Sequence, residues 1–234
     1  MWWRTAFRTT FTQRGNNRQD VFLLSEDRRF YLETLRVNCE QHRVAILGYC
    51  LMTNHVHLVA IPERPDGLAG ALGETHGRYA QRFNRRYRRS GHLWQNRFYS
   101  CPLGRDHLLT ALAYVDLNPL RAGLLRLPEQ YEWSSARAHA AGAESDRTID
   151  AWAWSELAIG DDWAMLAIRD DWAMVLQAAA SGNDGERLRQ STYAGLPFGD
   201  ARFVTEMERR AGRQLRPKPP GPTPKDDRAA VATG

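Results

Sequence analysis

His55 and His57 are the pair whose type and spacing first point to chemistry. In a β-strand the side chains at i and i+2 share a face, with Cα atoms roughly 6.5–7 Å apart, so a His-Val-His run sends two imidazoles toward one point. A bound metal ion would satisfy both rings at once. Two separately partnered histidines, in the core or on the surface, are the other reading. Tyr114 is the second candidate. The segment after Asp106 carries an apolar stripe of Leu108, Leu109, Leu112 and Val115, with His107, Thr110, Tyr114 and Asn118 opposite. That pattern makes an amphipathic helix with Tyr114 on its polar face and the Asn118 amide one turn on, where its oxygen could join the ion held by the two histidines. A tyrosine at the rim of a core is the ordinary alternative.

The third feature is Gly77 to Ser100, with seven arginines in 24 residues and no carboxylate. On a helix Arg78, Arg82, Arg85 and Arg89 form one stripe and Tyr79, Phe83 and Tyr87 another. The aromatic stripe is expected to pack on a sheet. The arginine stripe has no acidic partner at i±4 on its own helix, so it reads as a polyanion-binding face or as a solvated basic face. Trp94, Phe98 and Tyr99, interleaved with Gln95, Asn96 and Arg97, read as a platform for stacked single-strand bases.

The elements that must position these groups follow from pattern. Ala6 to Gln13 alternates as a strand and ends in the turn Arg14-Gly15-Asn16-Asn17. Ser25 is the expected N-cap of a helix over Glu26 to His42. Val44–Leu51 and His55–Ile61 are apolar strands joined by the short break Met52-Thr53-Asn54. Leu68 to Arg88 is a long helix, Asp106 caps a helix to about Leu117, and Asn118-Pro119 starts a short one through Leu124. Hairpin-linked strands mixed with helices favour an α+β fold, an antiparallel sheet with helices on one face, over a parallel doubly wound sheet.

Composition sets the outer limits. The 234 residues suffice for one sizeable core or a domain with an appendage, and 43% apolar, 10% aromatic and 25% charged residues exclude a wholly disordered or fibrous chain. No run approaches the ~20 apolar residues of a membrane-spanning helix, and Met1 to Thr12 holds no secretory apolar stretch, so a cytoplasmic, nucleoid-associated protein with no membrane partner is expected. Cys39, Cys50 and Cys101 are widely spaced and read as buried thiols. The net charge of +5 is unevenly spread: residues 1–105 hold 17 basic and 8 acidic groups, residues 106–212 hold 10 and 17, and residues 213–234 hold 5 and 2. A strongly basic first half concentrates a polyanion. Three regions are therefore expected: 1–135 as the chemical domain, 136–212 as an acidic helical region, and 213–234 as a disordered Pro-rich basic tail. Asp161-Asp162-Trp163-Ala164-Met165 recurs as Asp170-Asp171-Trp172-Ala173-Met174, a local duplication at a period of nine, too short for a solenoid.

Taken in order, the segments resemble a known group. Tyr49-Cys50-Leu51-Met52-Thr53-Asn54-His55-Val56-His57-Leu58-Val59 looks like the signature strand of the HUH single-strand endonucleases, in the form seen in REP-associated tyrosine transposases of the IS200-like type. Gln13 to Gln19, Arg85 to Phe98, Tyr114 to Leu124 and Trp133-Ser134-Ser135 are similar to that group in the same order, over about residues 8–140, with weaker similarity through Gly195-Leu196-Pro197-Phe198-Gly199. One departure is Thr10, where the group usually has His.

The resemblance implies a ferredoxin-like α+β fold with His55 and His57 on a central strand, Tyr114 as nucleophile and Asn118 as third metal ligand. It implies Mg²⁺ or Mn²⁺ as cofactor, zinc being the alternative, and single-stranded or hairpin DNA as partner to a monomer or homodimer. Attack by Tyr114 would leave a 5′-phosphotyrosine and a free 3′-hydroxyl. Arg14, Arg78, Arg82, Arg85, Arg86, Arg89, Trp94, Gln95 and Arg97 are the expected DNA-binding residues. Two rivals stand beside this DNA-transposition reading: a non-catalytic binder of structured single-stranded DNA, and a metal-dependent hydrolase in which water attacks and Tyr114 is structural.

Overall fold

The computed structural model describes residues 7–158 and 172–216. Trp2-Trp3-Arg4, the first copy of the nine-residue repeat and the tail beyond Arg216 lie outside the described residues. The elements are β1 (Thr9–Arg14), α1 (Ser25–Gln41), β2 (Val44–Leu51), β3 (His55–Pro62), α2 (Gly67–Arg86), β4 (Tyr99–Pro102), α3 (Leu108–Asp116), α4 (Asn118–Arg121), α5 (Ala136–Ala141), α6 (Ala151–Ala158), α7 (Trp172–Ser181), α8 (Asp184–Ala194) and α9 (Ala201–Ala211). Strand order is β2-β3-β1-β4 and every pair is antiparallel, which is the expected ferredoxin-like α+β arrangement. Among the described residues no helix is long and apolar enough to cross a membrane.

The period-two alternation of β3 sorts its side chains onto two cores. Val56, Leu58 and Ala60 enter one with Phe11, Leu35 of α1, and Leu72, Tyr79 and Phe83 of α2. Val59 enters the other with Leu47, Leu112 and Val115 of α3, Trp172 and Leu176 of α7, Leu188 of α8 and Phe198. The layer formed by α1 and α2 therefore covers one face. The opposite face, the one that carries His57, is covered by α3 and by helices of the acidic region. Truncating a fully buried side chain such as Phe11 in such a core typically costs about 3–5 kcal/mol.

Local differences from pattern have identifiable causes. Leu24, not Ser25, precedes the first turn of α1, and the Asp27 carboxylate reaches back to accept from the Leu23 and Leu24 amides at 3.1 and 3.0 Å. Asp106 sits inside a short 3₁₀ turn, Arg105–His107, rather than at a cap, and Gly104 takes the capping position. The β2–β3 register slips between Ile46 and Gly48. Gly48 lets α3 come close: a Cβ there would stand 2.9 Å from Leu112 Cδ2 and 3.2 Å from His139 Cε1.

Candidate active site

β3 runs through the middle of the sheet, and its neighbours fix what surrounds the two histidines. Arg14 of β1 stands opposite His55, while Thr12 and Cys50 flank His57. The His55 and His57 ring centroids are 4.8 Å apart, edge to face. The Tyr114 ring lies 5.7 Å from that of His57, also edge-on, so α3 brings the phenol to the imidazole side of the sheet. Asn118 stays on the same side, because Leu117 carries α3 almost without a break into α4. Its Nδ2 donates to the Tyr114 carbonyl at 2.8 Å and to the Val115 carbonyl at 3.3 Å, which leaves Oδ1 as the amide atom not tied to the helix.

Asn54 determines which nitrogen of His55 is free. Asn54 Nδ2 donates to the Arg18 carbonyl at 3.1 Å, so its Oδ1 must be the atom that faces His55 Nδ1, at 2.6 Å. Nδ1 then carries the proton and Nε2 keeps its lone pair. Burial, helped by Arg14, lowers the His55 pKa to about 4; burial, with His55, Arg14 and Arg121 adding to it, holds His57 well below the usual range. Both rings are therefore neutral at pH 7, as metal ligation requires. Two neutral imidazoles and an amide oxygen form a donor set that fits a divalent cation with open positions. Among the described residues no group of three or more His, Cys, Asp and Glu stands together, so a metal here depends on that amide.

The phenol is tuned in two directions. Burial raises the Tyr114 pKa, and the Arg121 guanidinium, 4.5 Å over the ring centroid, opposes the rise. Arg121 lies one turn past Asn118 and packs against α8 at Gly185, where a Cβ would come within 2.5 Å of its Nη2. Arg189 of α8 adds a second cation toward Tyr114 and is itself held by Glu186 through two 2.8 Å bonds.

The other sequence candidates divide into two places. Arg78, Arg82, Arg85 and Arg86 line a shallow cationic groove with Phe30 on the α2 side of the sheet, away from Tyr114. Arg82 sits 4.3 Å over the Phe30 ring, Arg86 is 4.0 Å from Asp27, and Arg89 donates to Gln19. Trp94 packs 4.6 Å from the His76 ring and donates to the His76 carbonyl, so its indole is part of the core edge. Tyr79 and Phe83 are buried, as expected of the aromatic stripe. Gln95 is half-buried beside Arg14, whose carbonyl accepts from the Gln95 backbone N–H at 2.8 Å, and Arg97 is exposed in the loop before β4. Thr10 donates to the Leu58 carbonyl within the sheet.

Sequence reasoning missed Asn54, Arg121 and the α8 pair of Arg189 and Tyr193. Helix geometry could have found Arg121, seven residues after Tyr114 and three after Asn118, and adjacency could have found Asn54. Nothing in the α8 sequence marks it as part of the site.

Residues 6–118 match the family model described as transposase IS200-like. No curated protein matches the chain significantly. Among solved structures, that of a REP-associated tyrosine transposase bound to a REP hairpin is similar in fold, with a TM-score of 0.50 and 15% identity over 63% of this chain and 87% of that one. Residues 6–118 are thus similar to the IS200-like transposases.

Proposed function

We propose that this protein cleaves and rejoins single-stranded, hairpin-associated DNA through a covalent link to Tyr114, with Mg²⁺ or Mn²⁺ held by His55, His57 and Asn118. The observation that carries the reading is the convergence of His55, His57 and Tyr114 on one face of the sheet, the phenol ring standing 5.7 Å from the His57 ring between centroids. When bound, the cation would neutralise charge on a phosphate oxygen and favour in-line geometry. Tyr114, having given its proton to solvent, forms the new oxygen–phosphorus bond. The 3′-oxygen departs and takes up a proton from solvent. The phosphodiester bond energy is kept in the 5′-phosphotyrosine, so a returning 3′-hydroxyl reverses the step and joins strands. Arg121 favours the phenolate, and Arg14 sits where the strand would pass His55. The hairpin partner of the structurally similar transposase supports DNA of that kind as substrate. The α2 arginines would bind backbone phosphates outside the reacting centre.

The test is direct. The protein is incubated with Mn²⁺ and a labelled single-stranded hairpin oligonucleotide drawn from repeats flanking its gene, then run on a denaturing gel. A retarded protein–DNA band that disappears in Tyr114→Phe supports the reading. Cleavage that survives Tyr114→Phe assigns the nucleophile to water, and binding without cleavage in any metal makes the protein a binder.

A further inference from the structure

Beside the imidazole pair lies a second feature that the proposed chemistry does not use. Arg14, Asn17, Arg18, Gln95, Tyr99 and Tyr193 line an open cleft of about 460 Å³, within the size range of small-ligand sites. The two phenol rings meet edge to face at 5.1 Å, one from β4 and one from α8. Arg14 Nη2 donates to the Tyr193 hydroxyl at 3.3 Å, and its Nε is buried without a partner. The same Arg14 stands opposite His55 across the β1–β3 ladder, so one guanidinium forms a wall of both the cleft and the imidazole site.

The cleft is held open by costly backbone. Asn17 and Arg18 take φ of 50° and 58°, and Asn96, next to Gln95, takes 50°. Left-handed conformations at non-glycine residues cost on the order of 1 kcal/mol or more each and cluster where a ligand is gripped. Gln13 Nε2 ties the loop down by donating to the Gln95 carbonyl at 2.9 Å. On the other side α8 is anchored by Leu188 in the core, and the segment that follows it by the Phe198 carbonyl, which accepts from Gly104 N at 2.8 Å. A rigid cleft with two aromatic faces, an arginine with an unspent donor and an amide at its rim fits one unpaired nucleotide: stacking surface for the base, cation for its phosphate.

We infer that this cleft binds the single unpaired nucleotide next to the phosphate that Tyr114 attacks, with Tyr193 and Tyr99 stacking on its base and Arg14 contacting its phosphate. The inference rests on the reading of the site under Proposed function. It gives α8, which lies outside the matched family region, a part in choosing where the strand is cut.

The experiment measures binding in the Tyr114→Phe full chain, so that cleavage does not enter. Abasic units are scanned through the unpaired segment of the same hairpin oligonucleotide. Stacking on one base predicts a single position at which base removal weakens binding about tenfold. In Tyr193→Ala that position loses its effect, falling below about twofold, while Tyr193→Phe keeps it. Tyr99→Leu repeats the test from the other wall. A scan in which no position matters overturns the inference without any substitution in the cleft. So does a sensitive position whose effect is unchanged in Tyr193→Ala and Tyr99→Leu. The reading of Tyr114 fails separately, when the wild-type chain forms no covalent adduct although the coupled position is present. If an adduct forms, the coupled position must adjoin the joined phosphate, and one located elsewhere overturns the inference.

Discussion

Asp116 Oδ2 lies 2.6 Å from His139 Nδ1, and neither side chain has any solvent exposure. The other ring nitrogen of His139 lies 2.7 Å from the Leu47 carbonyl. Both ring nitrogens thus face oxygen atoms, and the imidazole is tied at both ends inside the core. Ser135 donates to Asp116 Oδ1 at 2.7 Å, Trp172 Nε1 donates to Oδ2 at 3.0 Å, and Trp154 stacks on the imidazole at 4.2 Å. Asp116 is two residues from Tyr114, and its partners come from residues 135–172. The acidic region therefore clamps the helix that carries the phenol.

Removing one partner leaves the other's buried polar atoms unsatisfied, which costs about 1–3 kcal/mol for each atom. His139→Ala and Asp116→Ala should each lower the melting temperature by roughly 10 °C in a chain of this size. Their double variant should be less destabilised than the sum of the two, since the second removal takes away the group left unsatisfied by the first. Scanning calorimetry on the three variants decides it, and a shift below about 2 °C in both single variants contradicts the clamp.

Asn54 should control metal affinity without touching the metal. Its bond to His55 Nδ1 fixes the tautomer that leaves Nε2 free. Loss of such a supporting partner typically weakens metal binding 10–100-fold. Asn54→Ala is expected to raise the Mn²⁺ dissociation constant by about that factor, read by electron paramagnetic resonance titration. In the metal-free protein, nitrogen NMR should show one His55 tautomer in the wild type and a mixture in the variant. An unchanged tautomer would remove Asn54 from this role.

Much of this is legible in the sequence. The strands and long helices announced themselves by strong periodicity, and the His-Val-His spacing could only place both imidazoles on one face. What pattern could not supply was long-range placement. Nothing local tells that Asp116 meets a histidine 23 residues on and a tryptophan 56 residues on, or that α8 lands beside Tyr114. Trp94 read as an exposed stacking platform because its neighbours are polar; the pull of the His76 ring and carbonyl puts it in the core edge instead. The arginine stripe was visible as a stripe, but its position on the face away from Tyr114 depends on which side of the sheet α2 packs.

Acid should destabilise the fold before its carboxylates titrate. Burial lowers His76 to about 3, and His55 to about 4 with help from Arg14. In the unfolded chain both groups titrate near 6.5. Between about pH 6.5 and 4 the unfolded state binds more protons than the folded one, so stability falls as pH drops through that window, by up to about 1.4 kcal/mol per pH unit for each histidine. His76→Gln, which can still reach the Tyr31 hydroxyl that His76 Nε2 meets at 3.0 Å, should reduce the slope by about one proton. Urea unfolding at pH 7.5, 6 and 5 measures this, and equal stability at pH 7.5 and 5 would count against neutral buried histidines.

The α2 arginines should govern affinity and leave the chemical step alone. Arg78 and Arg85 are exposed, line the groove on the sheet face away from Tyr114, and take part in no ion pair among the described residues. Each phosphate they neutralise releases condensed counterions, so the slope of log affinity against log salt should lose roughly 0.7–0.9 for each arginine removed. Arg78→Ala and Arg85→Ala are thus expected to weaken DNA binding equally for all sequences and to flatten its salt dependence by about one unit apiece. At saturating DNA the rate of covalent adduct formation should stay within about twofold of wild type, because neither guanidinium is near the imidazoles or the phenol. Filter binding between 50 and 300 mM salt, followed by single-turnover cleavage, separates the two effects. A variant that binds normally but reacts slowly would place α2 in the reacting centre, contrary to the geometry.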